Sequence, residues 1–527
     1  MKIIILHPDL GIGGAERLII DIALALKTKN HQIKIYTNHY NRNHCFDETK
    51  TQLDIKVVGD WIPRKLFYHY FYACFAYLRF LFLTLYIIYN NIFSDLIICD
   101  QIPVGVPLLK LFGYKVLFYC HFPDLLLSQR DSWLKFFYRY PLDWLEEISM
   151  SYADKLIVNS NYTASIVKQT FHNNKYFQKK LDVLYPCISQ KCLNYKCSDA
   201  DDLYIKELFK IPKDHIFLSL NRYERKKNID LVLRAFFHLR HIVSQSNRHS
   251  SPDSLGLVIA GGFDSNLPEN LTTYSRLTNL AYEDLKLIPS EDIVFLKSIS
   301  NNQKNALLSS CVALCYTPTG EHFGIVPLEA SIHGKPVIAI ADGGPLETIV
   351  PGKTGYLCKP PGDAKEFSRA MFKCINGCEE GDKAKSGICE DYEYDYNPNQ
   401  RDEPFQRKIS SLTIESVSSS AASSPIYINN HYTDSRDIFD ANPDSEFEKN
   451  LMSEECFENR LLKSELTDKN DSEEDYNDWD KVSSGDVENS TRIKPEDCVK
   501  HVTNNFSFEI FANKLDEIIK DMVEPVT

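Results

Sequence analysis

Two successive sets of short aliphatic runs, most of them followed by stretches with helical apolar spacing, constrain this chain more than any other feature. In the first set, strands fit Lys2–Leu6, Ile33–Thr37, Leu96–Cys99, Lys115–Cys120 and Lys155–Asn159. In the second they fit Ile216–Leu220, Leu257–Ala260, Ile293–Leu296, Val312–Tyr316 and Pro336–Ile340. Helical spacing fits Glu16–Leu26, Ile229–His241, Asn302–Ser309 and Ile325–His333. Alternation of this kind means parallel sheets with helices on both faces. The fold class is α/β, two doubly wound domains in tandem, joined around Pro186–Asp202. Ligands of such sheets bind beyond the carboxyl ends of the strands. Two domains facing each other would therefore enclose a site in the cleft between them.

Charge divides the chain differently. The whole carries 72 acidic and 59 basic residues, a net of −13. Residues 379–500 hold 31 acidic and 14 basic residues, a net of −17, which leaves 41 acidic and 45 basic elsewhere. The acidic excess belongs to one Ser-, Asn- and Asp/Glu-rich segment that cannot bury enough apolar surface to offset ordering entropy. Helical periodicity returns over Phe506–Met522, so 379–500 reads as a mostly disordered insertion ahead of a helix that packs back on the fold. A net negative charge disfavours nucleic acid as a partner. The 15 cysteines form no paired CxxC set and read as reduced thiols. Leu66–Tyr89 is long and apolar enough to span a bilayer. Arg79 inside it costs roughly 2.5–3.5 kcal/mol in mid-membrane. The alternatives are a helix partly in the core and partly on a membrane surface, or a buried helix.

Several motifs carry chemistry. Gly11-Ile12-Gly13-Gly14-Ala15-Glu16 follows a strand and opens a helix, where free amides can meet phosphate or sugar oxygens. Glu16 stands where a dinucleotide fingerprint needs glycine, so a nicotinamide cofactor is not indicated. Arg222 to Asn228 (RYERKKN) follows the strand Ile216–Leu220 and sets basic groups where a diphosphate would bind. Glu321 to Glu329 (EHFGIVPLE) follows Val312–Tyr316, with Gly324 near a helix start and Glu329 about one turn in. Two carboxylates there can accept hydrogen bonds from sugar and ribose hydroxyls. Gly352-Lys353-Thr354 lacks the first glycine of a P-loop, having Glu347 instead, and reads as a turn. Asp478-Trp479-Asp480 reads as a solvated cluster, and no set of residues forms a metal site.

Together, the Glu-x7-Glu pair, Arg222 with Lys227, and the amino-terminal GGAE resemble the retaining, nucleotide-sugar-dependent glycosyltransferases of family 4. That family has two Rossmann-like domains, the GT-B fold. The likeness covers about residues 1–377 and 501–527. Within it, His7–Leu18, CHFPDLLLSQR (Cys120–Arg130), Asn159–Ser160, NRYERKKN (Asn221–Asn228) and EHFGIVPLEA (Glu321–Ala330) are similar to the mannosyltransferases that build the α1,3- and α1,6-branch of the dolichol-linked precursor for protein N-glycosylation.

The resemblance implies an acceptor domain over 1–190, a nucleotide-sugar domain over 203–378, the insertion at 379–500 and a helix within 501–527. It implies GDP-mannose as donor and Man-GlcNAc2-diphosphate-dolichol as acceptor. Catalytic roles would fall to His121, Glu321, Arg222 and Lys227. The donor would meet Gly13, Gly14, Arg222, Lys227, Glu321, Phe323, Gly324, Ile325 and Glu329. The acceptor would meet Glu16, His121, Asp124 and Arg130. No cofactor or obligatory metal is expected. A membrane surface would be a partner, through Leu66–Tyr89 or Lys175–Lys180, at the cytosolic face of the endoplasmic reticulum, and other glycosyltransferases of the pathway are candidate partners. Diphosphate-binding residues alone do not separate this reading from an α1,2-mannosyltransferase or a UDP-sugar enzyme of the same family. A non-catalytic scaffold would not need the full set.

Overall fold

The computed structural model describes residues 1–63, 72–128, 133–178, 181–246, 251–376 and 492–523. The expectations for 379–491, for Asp478–Asp480, for Arg130 and for the end of Lys175–Lys180 lie outside these residues.

The first sheet has seven parallel strands: β1 Lys2–Leu10, β2 Gln32–Tyr40, β3 Ile55–Val57, β4 Leu96–Asp100, β5 Val116–Cys120, β6 Lys155–Val158 and β7 Asp182–Val183, ordered β3-β2-β1-β4-β5-β6-β7. The second has six: β8 His215–Leu220, β9 Leu255–Gly261, β10 Ile293–Lys297, β11 Ala313–Tyr316, β12 Val337–Ile340 and β13 Gly355–Cys358, ordered β10-β9-β8-β11-β12-β13. All ten expected strands are present within a few residues. Their runs are continuously aliphatic because helices cover both faces, as for Ile3 to Leu6 and Leu255 to Ala260, all buried. β3, β7 and β13 were not read from the sequence; β3 and β7 are edge strands of three and two residues.

Each sheet reverses its strand order once, between β1 and β4 and between β8 and β11. Such switch points open a crevice at the carboxyl ends of the strands. Asp100 ends β4, and Gly13, Lys227 and Glu321 follow β1, β8 and β11, so each sheet brings its own pair of these residues to neighbouring strand ends.

The helices that matter here are α1 (Gly14–Thr28), α2 (Tyr72–Tyr89), α3 (Trp133–Ser151), α4 (Asn161–Thr170), α5 (Ile229–Gln245), α6 (Asn301–Ser310), α7 (Ile325–Ile332), α8 (Ala364–Asn376), α9 (Pro495–Asn505) and α10 (Phe508–Val523). Carboxyl-terminal helical structure starts at Pro495, inside the stretch assigned to the insertion, and comprises two helices rather than one. α9 packs on α7 of the second domain through Val502, Phe506, Leu328 and Phe323. α10 then crosses to α1 of the first domain, where Phe511, Leu515, Ile518 and Ile519 join Leu18, Ile19 and Ile22. Each such side chain contributes about 1.5–3 kcal/mol on full burial, enough to fasten the chain's end across both domains.

α2 is the described part of the long apolar run, whose first residues, 66–71, lie outside the described residues. Phe80, Leu83, Ile87 and Ile88 enter the core, whereas Tyr72, Leu78, Leu85 and Tyr89 are exposed. Arg79 is buried, with Nη2 donating to Asn38 O at 3.0 Å and to Asp60 Oδ1 at 3.3 Å. The helix is thus part core and part exposed apolar surface. Pro351–Gly355 is a turn leading into β13, as expected.

Candidate active site

In the first domain, β1 feeds the glycine turn. Gly13 is the extended N-cap of α1, and an ideal Cβ there would lie 2.2 Å from Glu16 Oε2. The Glu16 carboxylate therefore folds back over the turn. Gly14 faces open space. His121 follows β5, and its Nε2 lies 2.7 Å from Asp100 Oδ1 at the end of β4. Asp124 opens a short helix and takes Arg139 Nη2 at 2.8 Å. Glu146 of α3 accepts the backbone N–H groups of Asp124 and Leu125 at 2.7 and 3.0 Å, anchoring the segment after His121. Burial pushes the Glu146 carboxyl up to about 8, with Asp124 adding to the effect.

In the second domain, Lys227 Nζ lies 2.6 Å from Glu321 Oε2. Burial alone would raise the Glu321 pKa; the Lys227 ammonium outweighs it and holds the carboxyl below its usual range. Thr317 donates to Lys227 O at 2.8 Å, tying the basic turn to the segment after β11. Arg222 Nη1 lies 2.9 Å from Glu224 and is largely exposed, leaving it accessible to a ligand. Gly324 caps α7 at φ 81°, a conformation only glycine adopts without strain. Ile325 then begins the helix with free amides. Phe323 turns its ring inward, 4% exposed, against Tyr185 and Phe506. Only its backbone can face a ligand, which narrows the role expected for it. Glu329 is paired with Lys304 Nζ of α6 at 2.6 Å.

The two halves meet directly. Phe122 and His322 stack at 3.7 Å between ring centroids, with planes 5° apart. Ser160 Oγ donates to His322 O at 2.6 Å. Burial pushes the His322 pKa down to about 4, so a neutral ring faces Phe122. The stacked residues directly follow His121 in one domain and Glu321 in the other. Glu347 completes the junction. Its carboxylate accepts Asn161 N at 2.9 Å and Tyr162 N at 2.8 Å, at the N-terminus of α4, and the Tyr185 hydroxyl at 2.8 Å. A carboxylate at a helix N-terminus is worth about 0.3–2 kcal/mol. Glu347→Ala is expected to loosen the cleft, read as a larger radius of gyration by small-angle scattering and a higher donor KM. An unchanged scattering curve with unchanged KM would remove Glu347 from this role.

Among the described residues, no group of three or more His, Cys, Asp or Glu side chains is arranged to hold a metal. Sequence reasoning missed Asp100, Lys304 and the Gly343-Gly344 turn. The last had a visible signal, paired glycines directly after a strand.

Two doubly wound domains in contact, one carrying a lysine–carboxylate pair and the other a histidine at a strand end, define a glycosyltransferase of the GT-B class. Comparisons with known proteins agree. Residues 12–190 match the family described as Glycosyltransferase Family 4, and residues 201–386 that described as Glycosyl transferases group 1. The fold is like that of a sucrose-phosphate synthase from Thermosynechococcus elongatus (TM-score 0.54, 19% identity, 71% of this chain and 89% of that one). It is also like Anabaena Alr3699/HepE, solved with UDP and glucose (TM-score 0.53, 20% identity, 73% and 91%). Closer in sequence is alpha-1,3/1,6-mannosyltransferase ALG2 of Mus musculus, 45% identical over 381 residues, 71% of this chain and 88% of the relative. The Homo sapiens and Saccharomyces cerevisiae proteins of that name are 43% and 41% identical, covering 87% and 70% of the relatives. The chain belongs to the ALG2 family of α-1,3/1,6-mannosyltransferases.

Proposed function

We propose that this mannosyltransferase takes mannose from GDP-mannose and adds it, with retention of configuration, to Man-GlcNAc2-diphosphate-dolichol at the cytosolic face of the endoplasmic reticulum membrane. The observation that carries the reading is the Lys227–Glu321 pair, 2.6 Å apart at the carboxyl ends of β8 and β11. Lys227 and the exposed Arg222 supply positive charge where a diphosphate leaves. Stabilising charge that develops in the transition state acts on the rate of chemistry rather than on binding. Glu321, kept ionised by Lys227, can accept hydrogen bonds from the mannose. Glu329, held by Lys304, can accept them from the ribose. Front-face attack by the acceptor hydroxyl, assisted by the leaving diphosphate, requires no nucleophile from the protein and no obligatory metal. The exposed apolar row Leu78, Leu85 and Tyr89 of α2 supports contact with the membrane that carries the acceptor.

The test is transfer by the purified chain, with EDTA present, from GDP-mannose or UDP-sugars to a synthetic lipid-linked Man-GlcNAc2 diphosphate, read by mass. Gain of one and then two hexoses from GDP-mannose alone is the expected result. Transfer only from a UDP-sugar, or only once a divalent cation is restored, would overturn the donor or the metal-independence respectively.

A further inference from the structure

His7 lies in β1 and is wholly buried, as is Asp100 at the end of β4. Its Nδ1 is 2.8 Å from Asp100 Oδ2 and its Nε2 is 2.9 Å from the Asp9 carbonyl oxygen. A carboxylate and a carbonyl can only accept, so both ring nitrogens must carry protons. His7 is therefore an imidazolium, although burial opposes its charge; the bond to Asp100 and the nearby Asp100 and Glu16 charges outweigh burial and raise its pKa. The other oxygen of Asp100 lies 2.7 Å from His121 Nε2, a charge contact in which the ring N–H is not aligned on the carboxylate as it is at His7. Burial would raise the Asp100 pKa, but the two imidazoles hold it at about 2. One carboxylate thus lies between two histidines, only one of which has acceptors on both nitrogens. His121 is about a fifth exposed. With Nε2 turned to Asp100, Nδ1 is the nitrogen left for a ligand in the cleft.

We propose that His7 and Asp100 are positioning residues for sugar transfer: the buried His7 imidazolium fixes the Asp100 carboxylate, which holds His121 with its Nε2–H inward and its Nδ1 lone pair free for a substrate hydroxyl. The device resembles the base-and-orienter pairing of hydrolytic triads in form. It differs in having a buried imidazolium on the far side of the carboxylate, a group that never meets substrate. The other titratable groups facing the trio are Glu16 of α1 toward His7, His322 toward His121, and the buried side chains of Cys99, Tyr119 and Cys120, which stay protonated.

The inference rests on the transfer reading above, and its test separates the two. Full-length His7→Gln and Asp100→Asn proteins, checked for folding by thermal melting, are compared with wild type across pH using GDP-mannose and the synthetic acceptor. Without the His7 cation, Asp100 acts on His121 alone and favours its charged form, so the acidic limb of kcat moves up by about one pH unit in His7→Gln. In Asp100→Asn the limb moves down, kcat falls about tenfold or more and donor KM is unchanged. A merely structural role would not move the limb in opposite directions. Folded His7→Gln with the wild-type profile overturns the proposal, even if Asp100→Asn fails to fold. If the wild type transfers nothing, the functional reading falls, and 15N-histidine NMR of the full chain decides this one. An imidazolium protonated on both nitrogens at about pH 8, and lost in His7→Gln, supports it; its absence in wild type overturns it.

Discussion

Lys227→Ala is expected to lower kcat for mannosyl transfer by about 10²-fold or more, equivalent to about 2.7 kcal/mol of transition-state stabilisation. Two losses combine. The departing diphosphate loses a cation at the carboxyl end of β8, and the Glu321 carboxylate loses the partner that keeps it ionised against burial. The second loss makes the effects of Lys227 and Glu321 coupled. Lys227→Ala with Glu321→Gln should cost less than the product of the single changes, because each single change strands the other group. Stability should change little by comparison, since the pair bridges two loops rather than core elements. Single-turnover rates with saturating GDP-mannose, together with a melting curve, check this. Near-normal kcat in folded Lys227→Ala would take the lysine out of the diphosphate site.

Gly344→Ala should be as damaging although no substrate contact is ascribed to it. Gly344 donates its N–H to Glu321 O at 2.7 Å. A Cβ at this position would lie 2.0 Å from Phe323 O and 2.3 Å from Phe323 Cα. These are backbone atoms, so the Glu321–Gly324 segment itself must move. A displacement of about 1 Å at a reacting centre costs on the order of 10²-fold in rate. The expected pattern is a large loss of kcat with the chain still folded, since the clash falls on a loop rather than between sheet and helix. Gly352→Ala is the contrast. Gly352 has φ 72° but nothing within 4 Å of its Cβ position, and it lies in a turn before β13. It should lose some stability to backbone strain and keep its activity. If Gly344→Ala retained wild-type kcat, the contact between the two loops would not control Glu321.

These two expectations differ in how far the sequence foretold them. Lys227 and Glu321 stand in local patterns, a basic turn after one strand and a Glu-x7-Glu spacing after another, and each pattern survives being read one segment at a time. The close approach of Gly344 to Phe323 does not, because it joins the ends of β11 and β12 through space. The same division runs through the rest of the site. His121 came from the family resemblance, whereas Asp100 was not singled out, lying just past the run Leu96–Cys99. Its importance depends on His7 and His121, 93 and 21 residues away, arriving on either side of it. Glu329 was read as a free acceptor, and Lys304, which pairs with it, lies on another helix. The carboxyl-terminal helix was legible over Phe506–Met522 from its 3.6-residue spacing. α9 was not, because its short apolar face, Cys498 and Val502, sits in a sequence otherwise as polar as the segment before it.

What the sequence determined by itself is the pair of doubly wound domains and the placement of basic and acidic motifs at strand ends. Aliphatic continuity and helical spacing are local properties, and parallel sheets covered on both faces demand them. Only the tertiary structure decided which charges share a partner: Lys227 with Glu321, Lys304 with Glu329, and Asp100 between two imidazoles. The reason is that a parallel sheet delivers its strand ends side by side regardless of their distance along the chain. Electrostatic coupling follows that spatial order, through contacts of under 3 Å that no spacing in the sequence records.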